Sequence, residues 1–379
     1  MKVKLIDICD FQGGSQPPKD EWKGNYINGY IRMLQIRDFT QKNKVIPEYV
    51  KISNSLKFCE ADDILIARYG ASVGKILTGL SGAYNVAIMK IIPDTTRLNK
   101  RYLKYFLESR SFQDFIKNVG SRAAQAGFNK SDLSSIFIEE RNINEQNKII
   151  NILDKLTSLI ELKKNQLEKM NLFVKSLFIE MFGSQLENPY NFEKGIIKDV
   201  VSDVKYGTSS PANDNGIYPY LRMGNITYDG QLDLTNLKYI TIDDKELDKY
   251  IVKKGDILFN RTNSKELVGK TCVFNLDEPM IIAGYIIRVR TNNRVIPEYL
   301  SAVLNSKYGK QTLFDMCKSI VGQANINAQE LQKIKLLVPP IEIQLKYKSY
   351  LVQIDKSKYA SGYVKLIFIQ NKILNIFFS

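Results

Sequence analysis

Apolar and polar positions along the chain follow two rhythms. In the first, short apolar runs stand between turn-forming residues. Residues 2–8, 63–67, 86–92, 238–242, 256–260 and 280–289 read as strands, and residues 100–109 and 297–306 as short helices. In the second rhythm, Ile149, Ile152, Leu156, Leu159, Met170, Phe173 and Leu177 recur at steps of three and four, interrupted at Lys163 and Gln166. Neither Gly nor Pro occurs from Asn142 to Phe182, so this stretch predicts one long amphipathic helix with coiled-coil character. Roughly 40 residues at about 1.5 Å each would span about 60 Å. Gly183 stops the helix, and Asn188-Pro189 opens the next unit. Pro339-Pro340 is a second stop-and-restart signal, followed on a distal helix by Leu345, Leu351, Ile354, Leu366, Ile369, Ile373 and Ile376. Gly362 is a weak point there, costing about 1 kcal/mol relative to Ala.

The first rhythm is written twice. YIRMLQI at 30–36 matches YLRMGNI at 220–226, and DILIAR at 63–68 matches DILFNR at 256–261. Val73-Gly74-Lys75 matches Val268-Gly269-Lys270, and Arg101-Tyr102-Leu103 matches Glu298-Tyr299-Leu300. AAQAGFNKSDLSSIFI at 123–138 matches VGQANINAQELQKIKL at 321–336. The order is kept and the separation widens steadily, as expected for one duplicated unit with small loop insertions. The helices that follow also match at their entry, Glu145-Gln146 against Ile343-Gln344. The chain thus divides into a domain at 1–141, a central helix at 142–183, a second domain at 184–338 and a distal helix at 339–379. Its class is α+β: two homologous domains and a pair of long helices.

An apolar stripe on a long helix must be buried, and two such helices can bury theirs against each other. Packed antiparallel, they would place the globular units at opposite ends of a rod, with pseudo-twofold symmetry. Duplex DNA has the same symmetry and a repeat of about 34 Å. A rod with a reader at each end suits a bipartite site with an unread spacer, and diverged copies need not read a palindrome.

Charge and composition narrow the field. The net charge is +14 over 379 residues, which favours a polyanion as partner. Histidine is absent, and Cys9, Cys59, Cys272 and Cys317 are not at metal-ligand spacings, which argues against a zinc site. The four thiols are expected to be reduced, in a cytoplasmic protein. The opening MKVKLIDICDF lacks the apolar core of a signal peptide, and no apolar run is long enough to span a membrane.

The repeated landmarks have side-chain chemistry suited to reading DNA. Arg32, Gln35 and Arg37 fall near the end of a predicted strand, with Arg222 and Asn225 in the matching stretch. Arg68 and Arg261 follow the DIL strands, with Asn263 just beyond. Lys75 and Lys270 follow the Val-Gly turns. Arg122, Gln125 and Asn129 lie in one loop, and Gln323, Asn325 and Asn327 in its copy. Arg can pair with guanine and Asn or Gln with adenine, each through two hydrogen bonds, while Lys and turn amides suit phosphates. Each has a plainer reading: ion pairs with nearby aspartates for Arg68 and Arg261, loop-closing bonds for Gln125 and Gln323, and solvent exposure for Lys75 and Lys270.

Catalytic readings fare worse. Gly269-Lys270-Thr271 resembles the end of a phosphate loop, but Ser264 replaces the earlier glycine and the copy ends in Lys75-Ile76. Asn188-Pro189-Tyr190 resembles an adenine-methylation signature but sits in a polar linker and reads as a boundary turn. Asp62-Asp63 has a counterpart only in Asp256, so no paired acidic metal site is repeated, and the commonest general base is missing. No catalytic residue and no metal site are assigned. Two binding alternatives remain: a tandem RNA-binding protein, which would show aromatic platforms in its loops, and a coiled-coil protein scaffold.

The DIL strands, the loop at 322–327 with its copy around Gln125, the VPPIEIQ entry at 338–344 and the helix closing on LFIEMFG at 177–183 resemble the specificity subunit of a Type I restriction-modification system. The resemblance covers essentially the whole chain. It implies two target-recognition domains, each reading one half of a split site on double-stranded DNA, and paired antiparallel helices acting as spacer. It also implies two modification subunits, which bind S-adenosylmethionine and methylate adenine, and two restriction subunits, which use ATP with Mg. The chain itself would bind no cofactor. Two departures stand out. The first entry, EERNINEQ at 139–146, lacks the paired prolines, and Gly127 replaces the asparagine of the second loop.

Overall fold

The computed structural model describes residues 1–41, 44–120, 127–213, 215–320 and 323–378, apart from the side chains of residues 120, 318–320, 323 and 359. It forms two compact units. One holds Met1–Asn165 with Gly362–Ser379, the other Gln166–Ser361.

In the first unit the apolar run at 64–67 is buried on both faces. It forms the strand Ile64–Ala67, which pairs antiparallel with Ile88–Pro93 and Ile76–Leu77, while Cys9–Gly13 pairs on the far side of Ile88–Pro93. A second sheet runs in the order Tyr49–Lys51, Tyr30–Leu34, Gly82–Tyr84, Phe58–Cys59. Its pairing of Tyr30–Leu34 with Gly82–Tyr84 is parallel. A short pair, Lys2–Lys4 with Phe137–Glu139, brings the two ends of the domain together.

The second unit repeats this plan. Val201–Tyr206, Ile286–Thr291, Ile257–Asn260 and Thr271–Val273 form one sheet in that order. Lys238–Ile240, Tyr218–Leu221, Met280–Ile282 and Ile251–Val252 form the other, again with one parallel pairing, and Glu193–Ile196 joins Lys335–Val338. Strand order and direction agree in these three sheets, so the duplication extends to topology; the second unit also has a sheet of Thr262–Asn263, Gln323–Asn325 and Lys318–Ile320, where the described residues of the first have the single bridge Tyr69 to Gly127.

One landmark is out of register. Leu34 and Leu221 are equivalent, because their carbonyls accept from Asn85 and Ala283 at matching bridges and they pair alongside Tyr84 and Ile282. Arg222 therefore corresponds to Gln35 and not to Arg32, and Asn225 corresponds to Asp38. In both copies that cap side chain accepts from the backbone three residues earlier, Asp38 from Gln35 and Asn225 from Arg222, each at 2.9 Å. The shared letters YIRM and YLRM mislead because the connection from Gly14 to Leu34 is longer than that from Gly207 to Leu221. The separation between copies therefore does not widen steadily.

Several boundaries also differ from the apolar pattern. Residues 2–8 form the strand Lys2–Lys4 and the tight turn Leu5–Asp7. Residues 280–289 split into Met280–Ile282 and Ile286–Thr291 around Ala283-Gly284-Tyr285, because the two halves serve different sheets. The central helix is continuous from Ile143 to Phe182. The distal segment is not one helix but two, Ile341–Ala360 and Tyr363–Phe378, broken where Gly362 takes a φ of 67°.

The helices enter the cores of the units. Ile149, Ile150 and Leu153 share the first core with Leu374 and Phe378. Gln370 Nε2 donates to Thr157 Oγ1 at 2.8 Å, and the Phe378 ring lies 5.1 Å from Tyr102. Within this unit later residues of the central helix meet earlier residues of the distal segment, which is the order of antiparallel helices. In the second unit Phe182 lies 4.8 Å from Tyr299 and 5.3 Å from Tyr347. Tyr102 and Tyr299 are equivalent, so the last turn of each helix docks on the same position of a domain. Each unit thus holds its own domain, the start of the helix that follows it and the end of the other helix.

Two buried amides fasten the helix starts. Gln344 Oε1 accepts from Ile296 N, while its Nε2 donates to Arg294 O and Pro339 O. Gln146 makes the same bonds to Asn99 N, Arg97 O and Arg141 O. Any residue supplies the carbonyl at Arg141 or Pro339, which is why the first entry does without the paired prolines.

Candidate nucleic-acid interface

The Val-Gly-Lys turns and the arginines after the DIL strands lie together in each domain. Gly74 N donates to Ala67 O and Gly269 N to Asn260 O, with φ of 82° and 73°. Such values suit glycine, and a Cβ on Gly269 would stand 2.6 Å from Leu313. Arg68 and Arg261 hold equivalent backbone positions. Their N–H groups donate to Ala87 O and Tyr285 O, and their carbonyls accept from Phe128 and Ile326. Each guanidinium reaches an equivalent carbonyl at 3.5 Å, Val86 for Arg68 and Gly284 for Arg261. Each also lies over a tyrosine ring, Tyr69 at 5.0 Å and Tyr206 at 4.9 Å.

The aspartates nearby have other partners. Asp63 binds Lys90 at 2.5 Å and Lys100 at 3.3 Å. Burial pushes its carboxyl pKa up, but the hydrogen bonds from Lys90 and Glu60 outweigh this and the net shift is downward. Asp256 takes two bonds from Arg290. The reading of Arg68 and Arg261 as ion-pair partners of these aspartates is therefore corrected.

The two turn lysines part company. Lys75 is exposed. Lys270 is only 9% exposed and its Nζ donates to Met223 O at 2.9 Å, with burial lowering its pKa. In this conformation Lys270 is a structural tether and not a phosphate ligand, which corrects its place among the DNA-reading residues. Lys310 stands close by, its Nζ on Gly269 O at 3.2 Å, and burial lowers its pKa to about 8. Gln113 does the same for Gly74 O in the first domain.

Arg32, Gln35 and Arg37 form a separate group. Arg32 binds Asp38 at 2.7 Å, while Gln35 and Arg37 both bind Glu48, which also takes Lys19. Burial raises the Glu48 pKa, but the bonds from Lys19 and Gln35 bring it below the usual value. Arg222 donates to Asn236 O. Asn225 is buried and spends its side chain on Arg222 N and Asp233 O, so as a base contact it is corrected to a structural cap.

Asn327 is a helix cap, and Asn129 holds the matching turn in the first domain. Asn129 accepts from Ser131 N, and Asn327 from Gln329 N and Glu330 N. Asn263 Oδ1 accepts from Ser264 N. Asn325 is exposed and accepts from Thr262 Oγ1 at 3.2 Å. Arg122 and Gln125 lie outside the described residues, as does the side chain of Gln323.

One sequence decoy resolves into structure. Asn188 closes the boundary turn, binding Phe192 N and O at 2.8 Å each. Among the described residues no group of three or more Cys, Asp or Glu side chains could hold a metal, and no helix is long and apolar enough to cross a membrane.

The family description "Type I restriction modification DNA specificity domain" matches this chain twice, at residues 1–172 and 189–361. The chain belongs to the type I restriction-modification DNA specificity family. The two matches coincide with the two repeated domains and the starts of their helices. Among relatives, the type I restriction enzyme MjaVIII specificity subunit of Methanocaldococcus jannaschii is 24% identical over 379 aligned residues, covering 93% of this chain and 85% of that one. The EcoKI specificity subunit of Escherichia coli is 22% identical over 259 residues, covering 64% of this chain but 56% of that one. A further M. jannaschii relative is 30% identical over 173 residues, 45% of this chain and 40% of its own length.

Two solved structures share the fold. A type I restriction-modification S subunit from M. genitalium has a TM-score of 0.53 at 17% identity, covering 100% of this chain and 96% of that one. A chain from a study of assembly and conformational transition of the type I system has a TM-score of 0.54 at 17% identity, covering 100% and 97%. The repeat pattern did not single out the rings at Tyr69 and Tyr206 under the two arginines, because neither letter recurs in the other copy.

Proposed function

We propose that this chain is the DNA-reading subunit of a type I restriction-modification complex, with residues 1–141 reading one half of an asymmetric split site and residues 184–338 the other. The observation that carries this is the double family match over two domains that share the order of their three matching sheets, each presenting an equivalently tethered arginine. Arg68, Arg261, Lys75, Asn325, Arg222 and the Arg32–Arg37 group are the side chains proposed to face DNA, and Arg122, Gln125 and Gln323, whose side chains lie outside the described residues, are proposed from the sequence alone.

The central and distal helices are proposed to set the spacer and to dock two modification subunits, with two restriction subunits completing the complex in the cytoplasm. Exposed apolar residues on these helices support docking: Leu162, Leu172, Phe173 and Ile179 on the central one, Val364 and Phe368 on the distal one. S-Adenosylmethionine, ATP and Mg belong to those partners, which methylate adenine and cleave.

Replacing residues 1–141 by the corresponding domain of a related chain tests the assignment. We expect the modified site to change in one half only, as read by methylation mapping. A change in both halves would show that the domains do not read independently.

A further inference from the structure

Resting on that DNA-reading function, we propose that Tyr69 and Tyr206 are positioning residues: each is the aromatic platform that aims an equivalent arginine at a base edge of the bound duplex. The backbone bonds and the carbonyl tether of Arg68 and Arg261 are the same in both domains. The platforms are not. In the first domain the ring comes from the residue directly after the arginine. In the second it comes from the end of the strand Val201–Tyr206.

The exchange is complementary at each position. Strand pairing makes Tyr206 equivalent to Gly13, opposite Ile287 and Met89 respectively. A Cβ on Gly13 would already lie 3.6 Å from the Arg68 guanidinium, so the glycine leaves that side open. Tyr69 is in turn equivalent to Thr262, as its bridge to Gly127 matches that of Thr262 to Asn325. A Cβ on Gly127 would meet the Tyr69 ring at 2.5 Å, so the glycine in the first loop makes room for this platform. Each domain therefore has one tyrosine under its arginine, and the position that supplies the ring in the other domain is too small to do so.

Both rings are partly open, Tyr69 at 41% and Tyr206 at 39% exposure. The Tyr206 hydroxyl is anchored by Ala328 N at 2.8 Å, which fixes the ring. Arg68 Nε donates to Phe128 O at 3.3 Å, whereas Arg261 Nε is buried with no hydrogen-bond partner. A guanidinium stacked on a ring presents its donors edgewise, as the acceptor pair of a guanine requires. The rings reach the two arginines from different elements, so each half-site is expected to have its own geometry.

The test is the base-preference profile of the full-length chain with its modification subunits on a library of randomised duplexes. Tyr206→Leu should weaken the preference at one position of the second half-site by about tenfold and leave the first half-site unchanged. Tyr206→Phe keeps the ring but loses its anchor on Ala328 N, so it should weaken the same position by less than Tyr206→Leu does, and Tyr69→Leu should alter the first half-site alone. If Tyr206→Leu weakens binding to all sequences alike, or leaves the profile intact, the platform role is wrong while DNA reading stands. If the unmodified complex itself shows no sequence preference, the underlying function fails.

Discussion

At the residue scale, the buried amides of Gln146 and Gln344 show what ties a helix to the domain before it. Each satisfies two carbonyls and one N–H that would otherwise be buried without partners. Leucine has similar volume and none of these bonds. Gln344→Leu should therefore destabilise the second unit by about 3 kcal/mol, on the order of 1 kcal/mol per orphaned group. Urea denaturation would measure it, and a loss under about 1 kcal/mol would refute the clamp. The matched Glu145-Gln146 and Ile343-Gln344 entries pointed to this pair in the sequence. The sequence could not separate Lys75 from Lys270, since burial of the second depends on a distant carbonyl, Met223. Nor could it tell that Asn129, Asn225 and Asn327 are spent on the backbone at the start of a helix or turn, because the same side chain that reads adenine also satisfies such a start.

At the element scale, the glycine turns on either side of the second DIL strand are set by backbone conformation and by packing together. Gly255 and Gly269 both have positive φ, 95° and 73°. A Cβ at Gly255 meets nothing within 4 Å, whereas one at Gly269 meets Leu313 at 2.6 Å. Gly255→Ala should cost about 1 kcal/mol from strain alone, and Gly269→Ala about 2 kcal/mol more from overpacking. Thermal melting of the two variants checks the difference, and equal shifts would contradict it. Strands such as Ile64–Ala67 and Ile257–Asn260 were legible because apolar runs buried on both faces stand out between turns. The split of Met280–Ile282 from Ile286–Thr291 was not, since both halves are apolar and only their sheet membership differs. The break at Gly362 was visible as a weak point but not as a break. The false register of Arg32 with Arg222 arose where loop length changed and letters agreed by coincidence.

At the scale of the whole molecule, the repeated topology and the reciprocal helix composition of the units were legible from repeat order and helix periodicity. The platforms under Arg68 and Arg261 were not, since each domain builds its own from a different element. Two diverged domains of one design suit a target with two unlike halves, and a specificity family supplies the chemistry of that target. This one chain is proposed to set one split DNA site. Methylome sequencing of the host with and without the gene tests it most directly. One bipartite adenine-methylation motif, with unlike halves and a fixed unread spacer, should be present with the gene and absent without it. Identical methylation motifs in both strains, with the modification subunits expressed, would contradict the account.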